Sequence, residues 1–244
     1  MKTFATLTTI AAFLLPLQSS ADYNFIPKLG IANKAYQLDM GPGFPSHDST
    51  ISASVTGLIW GFSIAHSSRW YMDFEQFDGT GTHEGFVEYS DDFRRSDISL
   101  SFGRTFDGGL SAFAGTRFGG SEFQFINSGG EVSNLNNDTT GFFVGGAKGF
   151  VIDPTSNVSL SLAIASLTAE FKSFHTEPDI DASGDTLGYS FGGAWNKRLL
   201  QNFNLSIGGR YQAYKYDDVK DDTTVIGDQS ETISSVYAKL GYIF

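Results

Sequence analysis

Strict alternation of apolar with small or polar residues is the feature that most constrains the fold of this chain. Because alternate side chains of a β-strand point to opposite faces, each such segment has one apolar and one small or polar face. The small or polar face holds Gly, Ser and Ala rather than the Lys and Glu of a solvated surface, so the apolar face is predicted to meet lipid. Two clear examples are Val158, Leu160, Leu162 and Ile164, and Leu187, Tyr189 and Phe191.

Ten such segments follow one another, and they predict an all-β fold. After position 21 no stretch is long enough for a membrane-spanning helix, so crossing a membrane requires a closed barrel. Tight and long polar connections alternate strictly, and no composition break separates them. We therefore expect one antiparallel transmembrane β-barrel domain over residues 22–244. The strands are predicted near residues 25–38, 51–64, 69–78, 95–106, 110–122, 140–151, 158–171, 186–197, 203–216 and 231–244.

The sixth and seventh segments are less regular. The run Phe142-Phe143-Val144 leaves the parity of the sixth strand ambiguous. Leu167 falls out of phase with Ile164, which predicts a β-bulge in the seventh strand. A soluble β-sandwich or lipocalin-like barrel also alternates in this way, with its apolar face pointing inward.

Residues 1–21 predict export. They combine a positive start at Lys2, an apolar run and small residues before Ala21, which is typical of a cleaved signal peptide. Without Lys2 the chain has 15 basic and 27 acidic residues, a formal charge of −12. A chain of this charge is not expected to bind nucleic acid. With no cysteine, it can form neither a disulfide nor a thiolate metal site.

The last nine residues alternate again, with Val236, Leu240, Tyr242 and Phe244 on one face. A terminal Phe behind alternating apolar residues resembles the assembly signal of Gram-negative outer-membrane β-barrels. The whole architecture resembles the small outer-membrane barrels grouped as porin-family or OmpA-like proteins. The resemblance implies a monomer in the cell outer membrane, with short turns facing the periplasm. It also implies contact with outer-membrane lipid and lipopolysaccharide, and assembly by periplasmic chaperones and the barrel-assembly machinery.

Charged residues fall on the inward parity of several strands. Burying a single charge costs several kcal/mol, so these groups are expected to pair across the lumen. A ten-stranded barrel is only slightly wider than an eight-stranded one, whose side chains fill it, so a plug is favoured over a pore lining. The predicted network comprises Asp73, Glu75, Asp97, Arg117, Arg210 and Lys239.

Catalytic and metal sites have weaker support. The run from His66 to Ser68 is similar to the His-x-Ser pair of lipid A deacylases, but it lies in a predicted periplasmic turn. His47, His83 and His175 fall in predicted outer loops, where the carboxylate and histidine pairs of the ten-stranded omptin proteases have no counterpart. We expect no catalytic residue, metal or cofactor.

The acidic stretches 217–222 and 228–231 are predicted to be solvated loops, since their spacing matches no calcium loop. The favoured function is a non-enzymatic outer-membrane barrel with a structural or surface-interaction role and at most narrow permeability. A small-solute channel and an outer-membrane hydrolase are the alternatives.

Overall fold

The computed structural model describes residues 22–40, 50–84, 92–126, 132–174, 181–220 and 225–244. Residues 1–21, the predicted signal peptide, lie outside this part of the chain, as do His47 and His175. Ten strands carry the fold, and each of them is antiparallel to both of its neighbours. They are β1 (Tyr23–Asp39), β2 (Thr50–His66), β3 (Trp70–Glu84), β4 (Phe93–Thr105), β5 (Leu110–Ile126), β6 (Val132–Asp153), β7 (Ser156–Phe174), β8 (Asp181–Arg198), β9 (Phe203–Lys220) and β10 (Val225–Tyr242).

The strands pair in chain order, and β1 pairs with β10, so the sheet closes into a barrel. Following paired residues once around the sheet from position 26 leads back to β1 at position 38, a displacement of 12 residues. Such a stagger tilts the strands against the barrel axis. The fold predicted from the sequence, a ten-stranded antiparallel barrel, is confirmed.

Four short connections lie at one end of the barrel, which we call the short-turn end. One is the 3-10 turn Asp107–Gly109, where Gly108 and Gly109 adopt φ of 74° and 77°, a region that suits glycine. In another, hydrogen bonds from Ser156 and Thr155 hold the pKa of Asp153 below its usual range. The other five connections join the strands at the opposite end, the long-loop end, and fall largely outside the described residues.

Polarity reverses along the strands of this barrel. On the outer wall of β7, Leu160, Leu162 and Ile164 are exposed near the short-turn end, and Ser166 and Thr168 continue the same face toward the long-loop end. All ten strands share the pattern. An apolar belt therefore surrounds the half near the short turns, and a polar wall surrounds the other half. We call these the belt half and the outer half.

The interior reverses in the opposite sense. In the belt half the inward residues are mostly small or polar, whereas those of the outer half are largely apolar and buried. The outer half thus has a water-excluding core of its own, like a soluble barrel, while the belt half is apolar outside. The largest fully buried apolar side chains of the outer half include Leu38, Met40, Ile51, Phe93, Phe123, Phe171 and Tyr216.

This reversal corrects several predictions. Most strands extend further toward the long-loop end than predicted, because alternation continues there with the apolar face turned inward. The predicted bulge at Leu167 is wrong: β6 and β7 pair without a shift from Asn134 to Val151, and Leu167 is an inward core residue. In β6, Phe142 and Val144 point outward and Phe143 inward. Among the described residues, no helix is long and apolar enough to cross a membrane.

The seam between β1 and β10 carries the residues of the predicted assembly signal. Val236 and Leu240 are exposed on the apolar belt. The Phe244 amide donates to the Phe25 carbonyl at 3.0 Å, which extends the seam beyond Tyr242. The Phe244 ring contacts those of Tyr242 and Phe25, with centroids 4.7 and 6.2 Å away. Recognition of these residues during assembly stays a prediction.

Candidate functional site

The lumen brings together the six charged residues predicted to line it. All six lie at inward positions: Asp73 and Glu75 on β3, Asp97 on β4, Arg117 on β5, Arg210 on β9 and Lys239 on β10. Lys239 donates to Glu75 at 2.6 Å, and Arg117 donates to Asp97 at 2.7 Å. Asp73 is bonded to Lys28 of β1 and to Ser63. Arg210 forms none of the ion pairs found among the described residues.

Asp97 is the centre of the network, because three basic residues reach its carboxylate. Lys34 Nζ lies 2.5 Å from Oδ2, while Arg95 Nη2 and Arg117 Nη2 lie 2.9 and 2.7 Å from Oδ1. Arg117 also donates to the hydroxyl of Tyr214 on the far wall. These contacts bridge strands β1, β4, β5 and β9 across the lumen.

A second acid, Glu231 on β10, completes the network and was missed from the sequence. It was expected in a solvated loop, but its side chain is 1% exposed and accepts from Arg95 Nη1 at 2.9 Å. Asn137 donates to it at 3.1 Å, and Tyr216 also bonds to it. Its parity is that of the core residue Ile233, two positions along the strand, and this was the available signal.

The apolar core of the outer half lies directly above this network. Phe93 and Phe123 pack with ring centroids 4.7 Å apart, and Tyr36 contacts both rings. The network was expected to bridge much of the lumen. The structure instead puts a large part of the closure on apolar side chains nearer the long-loop end, since strand alternation there turns them inward.

Below the network, the belt half encloses a cavity of about 290 Å³. Hydroxyl and amide groups line it, including Ser99, Ser101, Ser161, Ser190 and Gln212. Arg117, Arg210 and Lys239 reach it from three strands, and so do Asp73 and Glu75. Gly188 borders the Tyr214 ring, which a Cβ would approach to 2.4 Å, so glycine lets this ring lie flat against β8.

Among the described residues, neither histidine is paired with a carboxylate of this network. His83 was expected in a loop, but it is an inward residue near the end of β3, with Nε2 3.1 Å from the Gln124 carbonyl. His66 borders a short turn, where its Nδ1 contacts Ser68 Oγ and accepts the Ser68 amide at 3.1 Å. Within the described residues, no group of three or more His, Cys, Asp or Glu side chains is arranged to hold a metal ion.

Comparison with solved structures identifies the architecture. The outer membrane protease OmpT from Escherichia coli superposes with a TM-score of 0.56 at 9% identity, over 92% of this chain and 97% of OmpT. The translocator domain of autotransporter NalP from Neisseria meningitidis gives 0.52 at 12% identity, over 98% and 93%. The fold is that of a small outer-membrane β-barrel. No family model and no curated protein matches the chain.

This likeness concerns the fold alone. In an outer-membrane barrel the apolar belt marks the lipid-facing zone, and short turns face the periplasm. On that orientation the belt half of this chain would span the membrane. The outer half would stand above it, with its polar wall in water and its core sealed inside.

Proposed function

We propose that this protein is an integral outer-membrane barrel with a structural or surface-interaction role, and that its lumen passes no solute. One observation carries the proposal: the interior of the outer half is filled by buried apolar side chains above a bridged ion network. A diffusion channel needs a continuous polar lumen, and such packing leaves little room for water or ions. This argues against the small-solute channel.

The outer wall supports the surface-interaction role. On β10, β1 and β2 it presents mainly hydroxyl and amide groups, with Asp39 at the end of β1, and on β6 to β9 it adds carboxylates and lysines. Such a wall would stand beside the sugars of lipopolysaccharide and below the long loops. The amide residues Asn33 and Gln37 and the hydroxyl residues Ser52, Ser54, Thr56, Thr232 and Ser234 are examples.

The non-enzymatic part of the proposal is supported by the positions of the candidate groups. His83 is buried against the Phe123 ring, and the His66 side chain accepts a hydrogen bond within a turn at the opposite end of the barrel. The carboxylates of the lumen are held by basic partners rather than by a histidine.

Single-channel recording in a planar bilayer tests the proposal. The purified protein should give no steady conductance steps. A variant with Phe93→Ala, Phe123→Ala and Phe171→Ala removes three core rings and should conduct, provided that heat-modifiable gel mobility shows it folded. Steps from this variant would show that the protein inserts and that the assay detects an open lumen. Large, steady steps from the unmutated protein would overturn the proposal in favour of the porin alternative.

A further inference from the structure

The cavity of the belt half has an unusual charge balance for this chain. The full sequence carries a formal charge of −11. The charged side chains that line the cavity carry the opposite sign, with three bases against two acids, an excess of one positive charge. The bases are Arg117, Arg210 and Lys239, and the acids are Asp73 and Glu75.

The pairing pattern locates part of that excess at Arg210. Asp73 and Glu75 each have a lysine partner, Lys28 and Lys239 respectively. Asp97 is already shared by three bases. Arg210 is on the cavity wall, forms no ion pair among the described residues, and remains exposed although it points inward. Its guanidinium interacts electrostatically with Glu75, but no hydrogen bond of this guanidinium is found among the described residues.

The surroundings of Arg210 suit an oxyanion. A guanidinium presents donors in a planar fork that matches the oxygens of phosphate or carboxylate. Lys239 and Arg117 line the same cavity, together with hydroxyl donors such as Ser190. Lipid around the barrel lowers the local dielectric, which strengthens the attraction of an unbalanced positive charge for a mobile anion.

Access is from the short-turn end. Toward the outer half the cavity is capped by Arg117, Tyr214 and the core above them. On β2 and on β5 to β9, inward positions near the short turns carry small side chains, namely Ala65, Ser111, Ala147, Ser159, Ala194 and Ser206. A small solute would enter past these positions, whereas the closed sheet keeps lipid head groups out.

We infer that the cavity is a binding site for a small phosphate-type oxyanion, taken up from the periplasmic side and held by Arg210. The site is a dead end rather than a pathway, because the lumen is filled above it. Because no ion can pass through it, the site differs from the charged constriction that selects ions in a channel. It also makes the inference independent of what the outer loops contact.

Titration with inorganic phosphate tests the inference. The full-length barrel, purified in a non-ionic detergent and a phosphate-free buffer of constant ionic strength, is titrated by calorimetry. Arg210→Gln should weaken binding at least about tenfold, the loss expected for a charge-assisted hydrogen bond. Arg94→Gln removes an exposed arginine from the outer wall of β4 and should leave the affinity unchanged.

A variant of opposite sign separates binding from damage to the fold. Glu75→Gln removes the acid paired with Lys239 and should tighten phosphate binding, which loss of structure would not do. Heat-modifiable mobility checks that each variant is folded. Absence of phosphate binding to the unmutated protein, equal affinity of the protein and Arg210→Gln, or weaker binding by Glu75→Gln would overturn the inference.

Discussion

At the scale of single residues, Asp97 pairs with more basic side chains of the lumen than any other described acid does. Its carboxylate is the acid nearest to three bases, while Glu231 serves only Arg95 among them. Replacing Asp73 or Glu75 would leave one lysine without its acid, and replacing Glu231 would leave Arg95 still paired with Asp97. Loss of the Asp97 charge leaves the buried side chains of Lys34 and Arg117 without an acidic partner.

Asp97→Asn is therefore expected to destabilise the barrel by about 3 to 5 kcal/mol, the cost of leaving buried charges without their partner. Urea unfolding of the barrel in detergent, followed by tryptophan fluorescence, measures it. Asp78→Asn is the matched control, because Asp78 is an exposed acid on the outer wall of β3 that accepts only from Gln76 and Ser96. Its effect should stay within about 0.5 kcal/mol. Equal losses in the two variants would contradict this role for Asp97.

At the scale of a strand, alternation and polarity are separate signals. The sequence predicts ten strands well, because alternation within the belt half is regular and tight turns mark its end. It predicts the outer half poorly, because the apolar face changes sides there without any break in the parity. Leu167 shows the difficulty. Its spacing from the outward residue Ile164 indicates a bulge, yet β7 is unbroken and the Leu167 side chain points into the buried core.

The same cause explains which site residues were found. Asp97 and Arg117 lie on strands whose outward residues are clearly apolar nearby, such as Leu100 and Phe118. Glu231 lies where the outward neighbours are Ser230 and Thr232, which resemble a loop. An inward polar residue can be recognised from the sequence only where the outward residues beside it are apolar because they face lipid.

A pair of adjacent substitutions on β7 tests the reversal. Leu167→Asp places a carboxylate in the apolar core and should destabilise the barrel by several kcal/mol, since a buried charge without a partner is costly. Thr168→Asp places it on the exposed outer wall and should be nearly neutral. The temperature at which each variant loses its folded gel mobility gives the comparison. A larger loss for Thr168→Asp would mean that the apolar face of this region points outward.

At the scale of the whole molecule, one closed sheet has two halves that suit two environments, lipid and water. Its belt half is stabilised by lipid outside and pairs its charges inside, whereas its outer half buries apolar side chains as a soluble protein does. Closure of the sheet through β1 and β10 leaves neither half with a free edge.

Accessibility in intact cells tests this arrangement, and the absence of cysteine gives a clean background. Thr168→Cys on the outer wall should react with a membrane-impermeant maleimide added to whole cells. Leu162→Cys lies on the apolar belt and should stay unlabelled, because lipid covers it. Leu200→Cys, exposed in a short turn, should react only after the outer membrane is permeabilised, since that turn faces the periplasm. Labelling of Leu200→Cys but not Thr168→Cys in intact cells would mean that the barrel is inserted the other way up. Labelling of Leu162→Cys as fast as Thr168→Cys would mean that lipid does not surround the belt.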